Sequence, residues 1–324
     1  SGSRLTTGGT FIASELEKRL ADFKHSESAL VFNTGYMTNL GVLYGLMQTG
    51  DVVFSDELNH ASIIDGCRIS RCKVVVYKHN DMADLQRLLE TEIVTGQRFI
   101  VTDGVFSMDG DIADLPSLAV LKKQFNACLI VDDAHGVGVI GNDGSGTASH
   151  YGLTDVIDLQ VGTLSKALAA EGGYVAGKKI LIDYLINRSR PFIFSTALAP
   201  ATLAAANAAL LLLQTQASKY LDSLRANSRL MRRLLLEGGL NVVEGITPII
   251  PVVIGEAGLT MQFADRLKSK GILVSGIRPP TVPRGESRLR ITVTAAHCEE
   301  QLRQAAQIIT ALWQELKHGE KKEG

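Results

Sequence analysis

The sequence predicts an α/β fold, with a mostly parallel sheet between helices followed by a smaller α+β C-terminal domain. Three observations carry that expectation. Short apolar strands without polar alternation recur between helical segments, as in strands buried on both faces. At 324 residues the chain is long enough for a large core and for two domains. Its unusual polar residues also fall directly after the strands, where ligands of open α/β sheets bind.

In chain order, residues 1–10 are rich in Gly, Ser and Thr and read as a loop. Leu16, Leu20 and Phe23 then repeat at helical spacing within a helix over 14–23. A strand over 29–32 runs into the turn Asn33-Thr34-Gly35-Tyr36 and a helix over 37–46. A glycine-containing turn that opens a helix offers free N–H groups and a positive dipole end, which suits an anion. Strands over 52–54, 73–77, 99–102, 128–131 and 159–161 follow, with clear helices over 82–89 and 115–125. The alanine- and leucine-rich segment 197–218 reads as a long helix bridging to a second domain, so the expected division is 1–200 and 201–324. Beyond it the pattern gives a helix over 223–236, a strand over 250–253, a helix over 260–269 and a strand over 272–275. A proline-rich turn over 278–283, a strand over 288–294 and a final helix carrying Leu302, Ile309 and Leu316 follow, and the charged tail 318–324 is expected to fray.

Composition narrows the function. With 33 basic and 34 acidic residues the formal net charge is −1, so no basic surplus exists to neutralise phosphate backbones, and nucleic acid is excluded as the expected partner. The longest apolar stretch is broken by Pro200, Thr202 and Asn207 and reads as a buried helix, not a membrane span. No leader pattern opens the chain. Cys67, Cys72, Cys128 and Cys298 form no C-x-x-C pair and no metal spacing with histidine, so buried thiols in a reducing cytoplasm, and no metal, are expected.

The strand ends carry the chemistry. Asn59-His60 follow the strand over 52–54, and Asp103 to Asp111 (DGVFSMDGD) follow the strand over 99–102. Asp132-Asp133-Ala134-His135 follow the strand over 128–131, and Thr163 to Lys166 follow the strand over 159–161. Taken singly, each has an ordinary reading: a surface lysine, a structural histidine, an aspartate capping a helix. Four such groups converging on one sheet edge are hard to explain as capping. A lysine for an aldehyde, a carboxylate for a ring nitrogen, an aromatic for a ring face and an anion site for a phosphate are what pyridoxal phosphate needs. Asp132 and Asp133 compete for the carboxylate role, because adjacent strand residues point to opposite faces.

The segments SRLTTG, FNTGYMTN, DELNHAS, TDGVFSMDGD, VDDAHGVGVIG, TLSKALAAEGGYVAG, FIFSTALAP and RLRITVTAAH span nearly the whole chain. Together they resemble the α-oxoamine synthase family of fold-type I pyridoxal-phosphate-dependent transferases, and Ile277 to Pro283 resembles the version in the biotin-pathway branch. The resemblance implies that Lys166 forms the Schiff base and moves the α-proton, that Asp132 pairs with the ring nitrogen, and that His60 stacks on the ring. It places Ser107 and His135 at the phenolic oxygen, and Gly35, Tyr36 and Thr163 at the phosphate. Ser195 and Thr196 would reach the phosphate of a neighbouring subunit, since family sites are shared across a homodimer, and Arg290 would clamp the amino-acid carboxylate. The implied reaction is a decarboxylative condensation of L-alanine with a pimeloyl thioester, on coenzyme A or a carrier protein. A sister enzyme using glycine or serine, and a non-catalytic cofactor-binding subunit, are the alternatives; the presence of Lys166 argues against the second. Two departures stand out. Family members carry an N-terminal arm before the Ser-Arg-Leu loop, so a chain starting there is expected to bind cofactor and be impaired in turnover. Ala13 also stands where the family often has histidine.

Overall fold

The computed structural model describes residues 2–323, with side chains through 317. Its first seven strands are β1 (Ser28–Phe32), β2 (Val52–Asp56), β3 (Lys73–Tyr77), β4 (Arg98–Asp103), β5 (Ala127–Asp132), β6 (Leu159–Thr163) and β7 (Gly173–Gly177). They form one sheet in the order β1-β7-β6-β5-β4-β2-β3, in which only β7 runs against the others. Helices α1 (Phe11–Phe23), α2 (Gly35–Leu46), α3 (Ala61–Ile69), α4 (Met82–Thr91) and α5 (Leu115–Phe125) come from the first half of this unit. The short α6 (Thr147–His150), α7 (Lys179–Arg188) and α8 (Arg190–Phe194) follow.

The unalternating apolar strands have a direct cause. Along β2, β4 and β5, Val53, Val101 and Ile130 pack in one core with Val42 and Leu43 of α2. Their neighbours Phe54, Ile100 and Leu129 pack in a second core with Leu118 of α5. Successive side chains point to opposite faces, and both faces are covered, so both must be apolar. Strand β7 was not expected from sequence. It is five residues bounded by glycines, and Gly173 stands where a Cβ would lie 2.6 Å from the backbone of Gly35.

A long helix α9 (Pro200–Glu237) follows, and a second unit holds β8 (Ile249–Gly255), α10 (Ala257–Ser269), β9 (Ser275–Ile277), β10 (Ser287–Thr292) and α11 (Glu299–Glu323). The three strands make an antiparallel sheet in the order β8-β10-β9, with Ile250, Val252, Phe263, Leu289 and Ile309 in its core. The compact units comprise 1–106 with 112–217, and 107–111 with 218–324. Sequence placed the division at 200/201, where α9 starts; the units instead part beside Gln216, the one residue of α9 with non-helical backbone angles. The two helices expected over 197–218 and 223–236 are thus one interrupted helix. The strand expected over 272–275 forms at 275–277, because Ile272 and Val274 pack on the core ahead of the paired residues. Of the tail expected to fray, residues 318–323 are described only as backbone of α11; Gly324, like Ser1, lies outside the described residues.

Candidate active site

Neighbouring parallel strands end on a row of polar residues. Asp103 closes β4 and Asp132 closes β5, paired directly across the ladder, and Thr163 closes β6 two residues beyond Val161, the partner of Asp132. Because side chains alternate, Asp103, Asp132 and Thr163 share the face of Val101, Ile130 and Val161, which is the face covered by α2. The chain leaves β2 toward β3 on one side and leaves β4 toward β5 on the other. The crevice between β2 and β4 is therefore the switch point at which α/β sheets bind ligands. His60 follows β2 there, and its backbone N–H donates to Asp103 Oδ2 at 2.9 Å.

The two aspartates that sequence left in competition separate cleanly. Asp133 faces away from α2 and is consumed by structure: it pairs with buried Lys24 at 2.8 Å and accepts from the backbone N–H and hydroxyl of Thr147. Asp132 faces α2. One of its oxygens accepts from Ala134 N–H at 3.0 Å and the other from Asn39 Nδ2 at 2.6 Å. Both contacts come from donors, so each oxygen accepts and keeps a lone pair for a ligand.

Asp103 is buried. Burial pushes its carboxyl well above the usual range, and the charge of Asp132 pushes it further, while the His60 N–H and the Lys166 charge pull the other way.

At the next strand end, the loop from Leu164 to Gly172 is closed by Leu164 N–H to Gly172 O (3.0 Å) and Ala170 N–H to Leu164 O (2.9 Å). Buried Leu164 and Leu168 anchor it, leaving Lys166 exposed between them. Thr163 Oγ1 lies 2.7 Å from Ser165 Oγ and donates to Gly172 O at 3.1 Å. Gly35 is the first residue of α2, capped by Thr34, and a Cβ there would sit 3.3 Å from Thr163 Cβ. Free N–H groups of a helix start thus face a threonine at a strand end, in a cradle without room for larger side chains. Tyr36 is exposed, and its hydroxyl donates to Asp65, whose acceptance of that bond raises the phenol's pKa. His135, half-buried, lies in the turn that wraps over Asp133.

The remaining expected residues fall elsewhere. Ser107 and Arg290 both belong to the second unit, where Arg290 Nε donates to the Ser107 carbonyl; burial lowers the arginine's pKa. Their loop is held within that unit by Arg288 to Asp109 and by Thr247 Oγ1 to Gly110 O at 2.7 Å. Ser195 and Thr196 lie in an extended segment, where Thr196 bridges to Ser3 and its carbonyl accepts from Asn33 Nδ2 at 2.8 Å. Sequence reasoning missed Asn39, Ser62 and the role of Asp103. Asn39 had a signal, since it lies four residues after Gly35 and so on the same helix face. Among the described residues, no group of three or more His, Cys, Asp or Glu side chains is placed to hold a metal ion.

The arrangement fits the cofactor that the resemblance implies: an amine, a carboxylate, an imidazole and an anion cradle stand at adjoining strand ends of one unit. The fold is that of the fold-type I pyridoxal-phosphate transferases. Residues 1–309 match the class I and II aminotransferase family, and the chain belongs to it. It is 52% identical over 301 residues to an 8-amino-7-oxononanoate synthase of Lysinibacillus sphaericus, covering 93% of this chain and 77% of that one. The enzyme of that name from Trichlorobacter lovleyi is 50% identical over 98% of this chain and 81% of its own length. Among solved structures, the Sphingomonas wittichii serine palmitoyltransferase superposes with a TM-score of 0.95 at 31% identity, covering 98% of this chain and 80% of that one. The Francisella tularensis 8-amino-7-oxononanoate synthase gives 0.81 at 31% identity, over 96% and 89%. The expected α-oxoamine synthase likeness is borne out. No helix among the described residues is long and apolar enough to cross a membrane.

Proposed function

We propose that this chain is a pyridoxal-phosphate-dependent acyltransferase that condenses L-alanine with a pimeloyl thioester, releasing carbon dioxide and the free thiol, to form 8-amino-7-oxononanoate for biotin synthesis. The observation that carries the reading is the identity of about half with relatives bearing that name, in a chain that keeps Lys166, Asp132 and His60 at adjoining strand ends. The bound cofactor supplies an electron sink for the α-carbon.

The protein's residues would do the rest. Lys166, exposed on a tight loop, would anchor the aldehyde and, once displaced, carry the α-proton. Asp132 would pair with the ring nitrogen, and His60 would cover one ring face. Ser107 and His135 would serve the phenolic oxygen. The N–H groups of Gly35 and Tyr36, with the Thr163 hydroxyl, would hold the phosphate, and Ser195 and Thr196 would hold that of a partner subunit in a homodimer. Arg290 would clamp the substrate carboxylate with its planar fork. The first unit would form the cofactor-binding domain and the second the smaller one. The reaction would proceed in the cytoplasm, with small-molecule substrates.

The higher TM-score of the serine palmitoyltransferase favours a second reading, with serine as the amino acid. Identity weighs against it, at 31% compared with 52%. The test is to load the protein with cofactor, reduce with borohydride and map the modified peptide, then compare alanine, glycine and serine with pimeloyl-CoA. Modification of Lys166 and product from alanine are expected. No cofactor uptake would end the proposal, and turnover of serine in place of alanine would turn it to the second reading.

A further inference from the structure

Asn39 touches Asp132 directly and reaches His60 through Ser62. It is 2% exposed on α2, and its single amide nitrogen donates to Asp132 Oδ2 at 2.6 Å and to Ser62 Oγ at 2.8 Å. Ser62, 1% exposed in the first turn of α3, passes the network on: its Oγ lies 2.7 Å from His60 Nδ1, and its backbone N–H donates to the same Nδ1 at 3.3 Å.

The direction of every bond in this chain is determined. The opposite amide orientation of Asn39 would set its carbonyl oxygen against the Asp132 carboxylate, acceptor against acceptor, so the NH₂ faces both partners. With its oxygen already accepting from Asn39, the Ser62 hydroxyl has its proton to give to His60. A backbone N–H can only donate, so His60 Nδ1 must accept and carries no proton. The proton of the neutral ring therefore sits on Nε2, the nitrogen on the far side from Ser62.

We infer that Asn39 and Ser62 are positioning residues that act through Asp132 and His60, holding the first as an acceptor and the second as the neutral Nε2–H tautomer. The value of this coupling rests on the cofactor reading above. A ring protonated at its nitrogen needs an anion beside that nitrogen and a neutral aromatic on its face. An imidazolium there would set two cations face to face, while a neutral ring offers its π-face to the positive one. One buried amide sets both conditions, and it does so before any ligand arrives.

The first test needs neither cofactor nor variant. Ring ¹⁵N NMR of histidine-labelled, cofactor-free protein, with His60 assigned by its loss in His60→Gln, reads the tautomer directly. An unprotonated Nδ1 and a protonated Nε2 are expected; a protonated Nδ1 in the wild type overturns the inference. Ser62→Ala, which removes the hydroxyl and keeps the N–H, should shift the ring nitrogens toward a mixture of tautomers, and an unchanged pattern also overturns it. For Asn39→Ala, and for the near-isosteric Asn39→Asp in case the alanine variant does not fold, cofactor affinity should fall by about tenfold to a hundredfold, the usual loss for a hydrogen bond to a charged group. Wild-type affinity in a folded Asn39 variant would refute the positioning role. Failure of the wild type to bind cofactor would instead strike the functional proposal and leave the tautomer result standing.

Discussion

Lys24 to methionine is the sharpest perturbation of the scaffold under the site. The ammonium of Lys24 and the carboxylate of Asp133 are 0% and 1% exposed, 2.8 Å apart, and Lys24 also donates to the Ser145 carbonyl. Methionine fills a similar volume and leaves Asp133 buried without its counter-charge. Breaking one side of such a pair costs about 3–5 kcal/mol, because the desolvation of the stranded charge is no longer offset. Asp133 keeps the Thr147 N–H and hydroxyl as donors, which argues for the low end, about 3 kcal/mol. For a unit of this size that is a fall of roughly 6–12 °C in Tm.

The assay is a double-mutant cycle of Lys24→Met, Asp133→Asn and their combination, followed by calorimetry on the transition that carries the first unit. A coupling energy of about 2 kcal/mol is expected, with the double variant more stable than the sum of single losses allows. A coupling below about 0.5 kcal/mol would mean that the pair contributes no more than an exposed one, and would refute the reasoning. Since Asp133 is adjacent to Asp132 and the pair fastens the turn holding His135, Lys24→Met should also weaken cofactor binding although Lys24 lies on the opposite face of the sheet from α2.

Two further perturbations follow from the site. Gly173→Ala would place a Cβ 2.4 Å from Thr38 Oγ1 and 2.6 Å from Gly35 backbone atoms that cannot yield, so α2 must shift at its start. A loss of about 1–3 kcal/mol in urea unfolding and weaker phosphate binding are expected, and a variant with wild-type values would show the close approach to be unimportant. Asp103→Asn tests the raised carboxyl. A carboxyl raised by burial stabilises the fold below its unfolded pKa of about 3.9 and withdraws that stability as pH rises through the folded value. Asparagine keeps the acceptor for the His60 N–H and has nothing to ionise, so its Tm relative to wild type should climb as pH rises above the unfolded value of about 3.9; a difference that stays constant with pH would refute the reasoning.

The strand ends were readable because the two kinds of residue differ in kind. Strands buried on both faces must be apolar throughout, so Asp103, Asp132, Thr163 and His60 stand out where each strand emerges. What could not be read was set by partners far away in the chain. Choosing between Asp132 and Asp133 required knowing which face α2 covers, and the residues that decide it, Asn39 and Lys24, lie 93 and 109 positions away. The segment 107–111 belongs to the second unit because Arg288, 179 positions beyond Asp109, pairs with it, and no local pattern encodes that. Strand β7 was hidden for the opposite reason: Gly173 answers to the crowding of Gly35 and Thr38, and Gly177 to that of Asp158 and Leu159, rather than to strand propensity. The residues that carry chemistry announce themselves by type at a strand end, whereas those that aim them are ordinary asparagines, serines and lysines. Only the fold reveals which of those have been buried for the purpose.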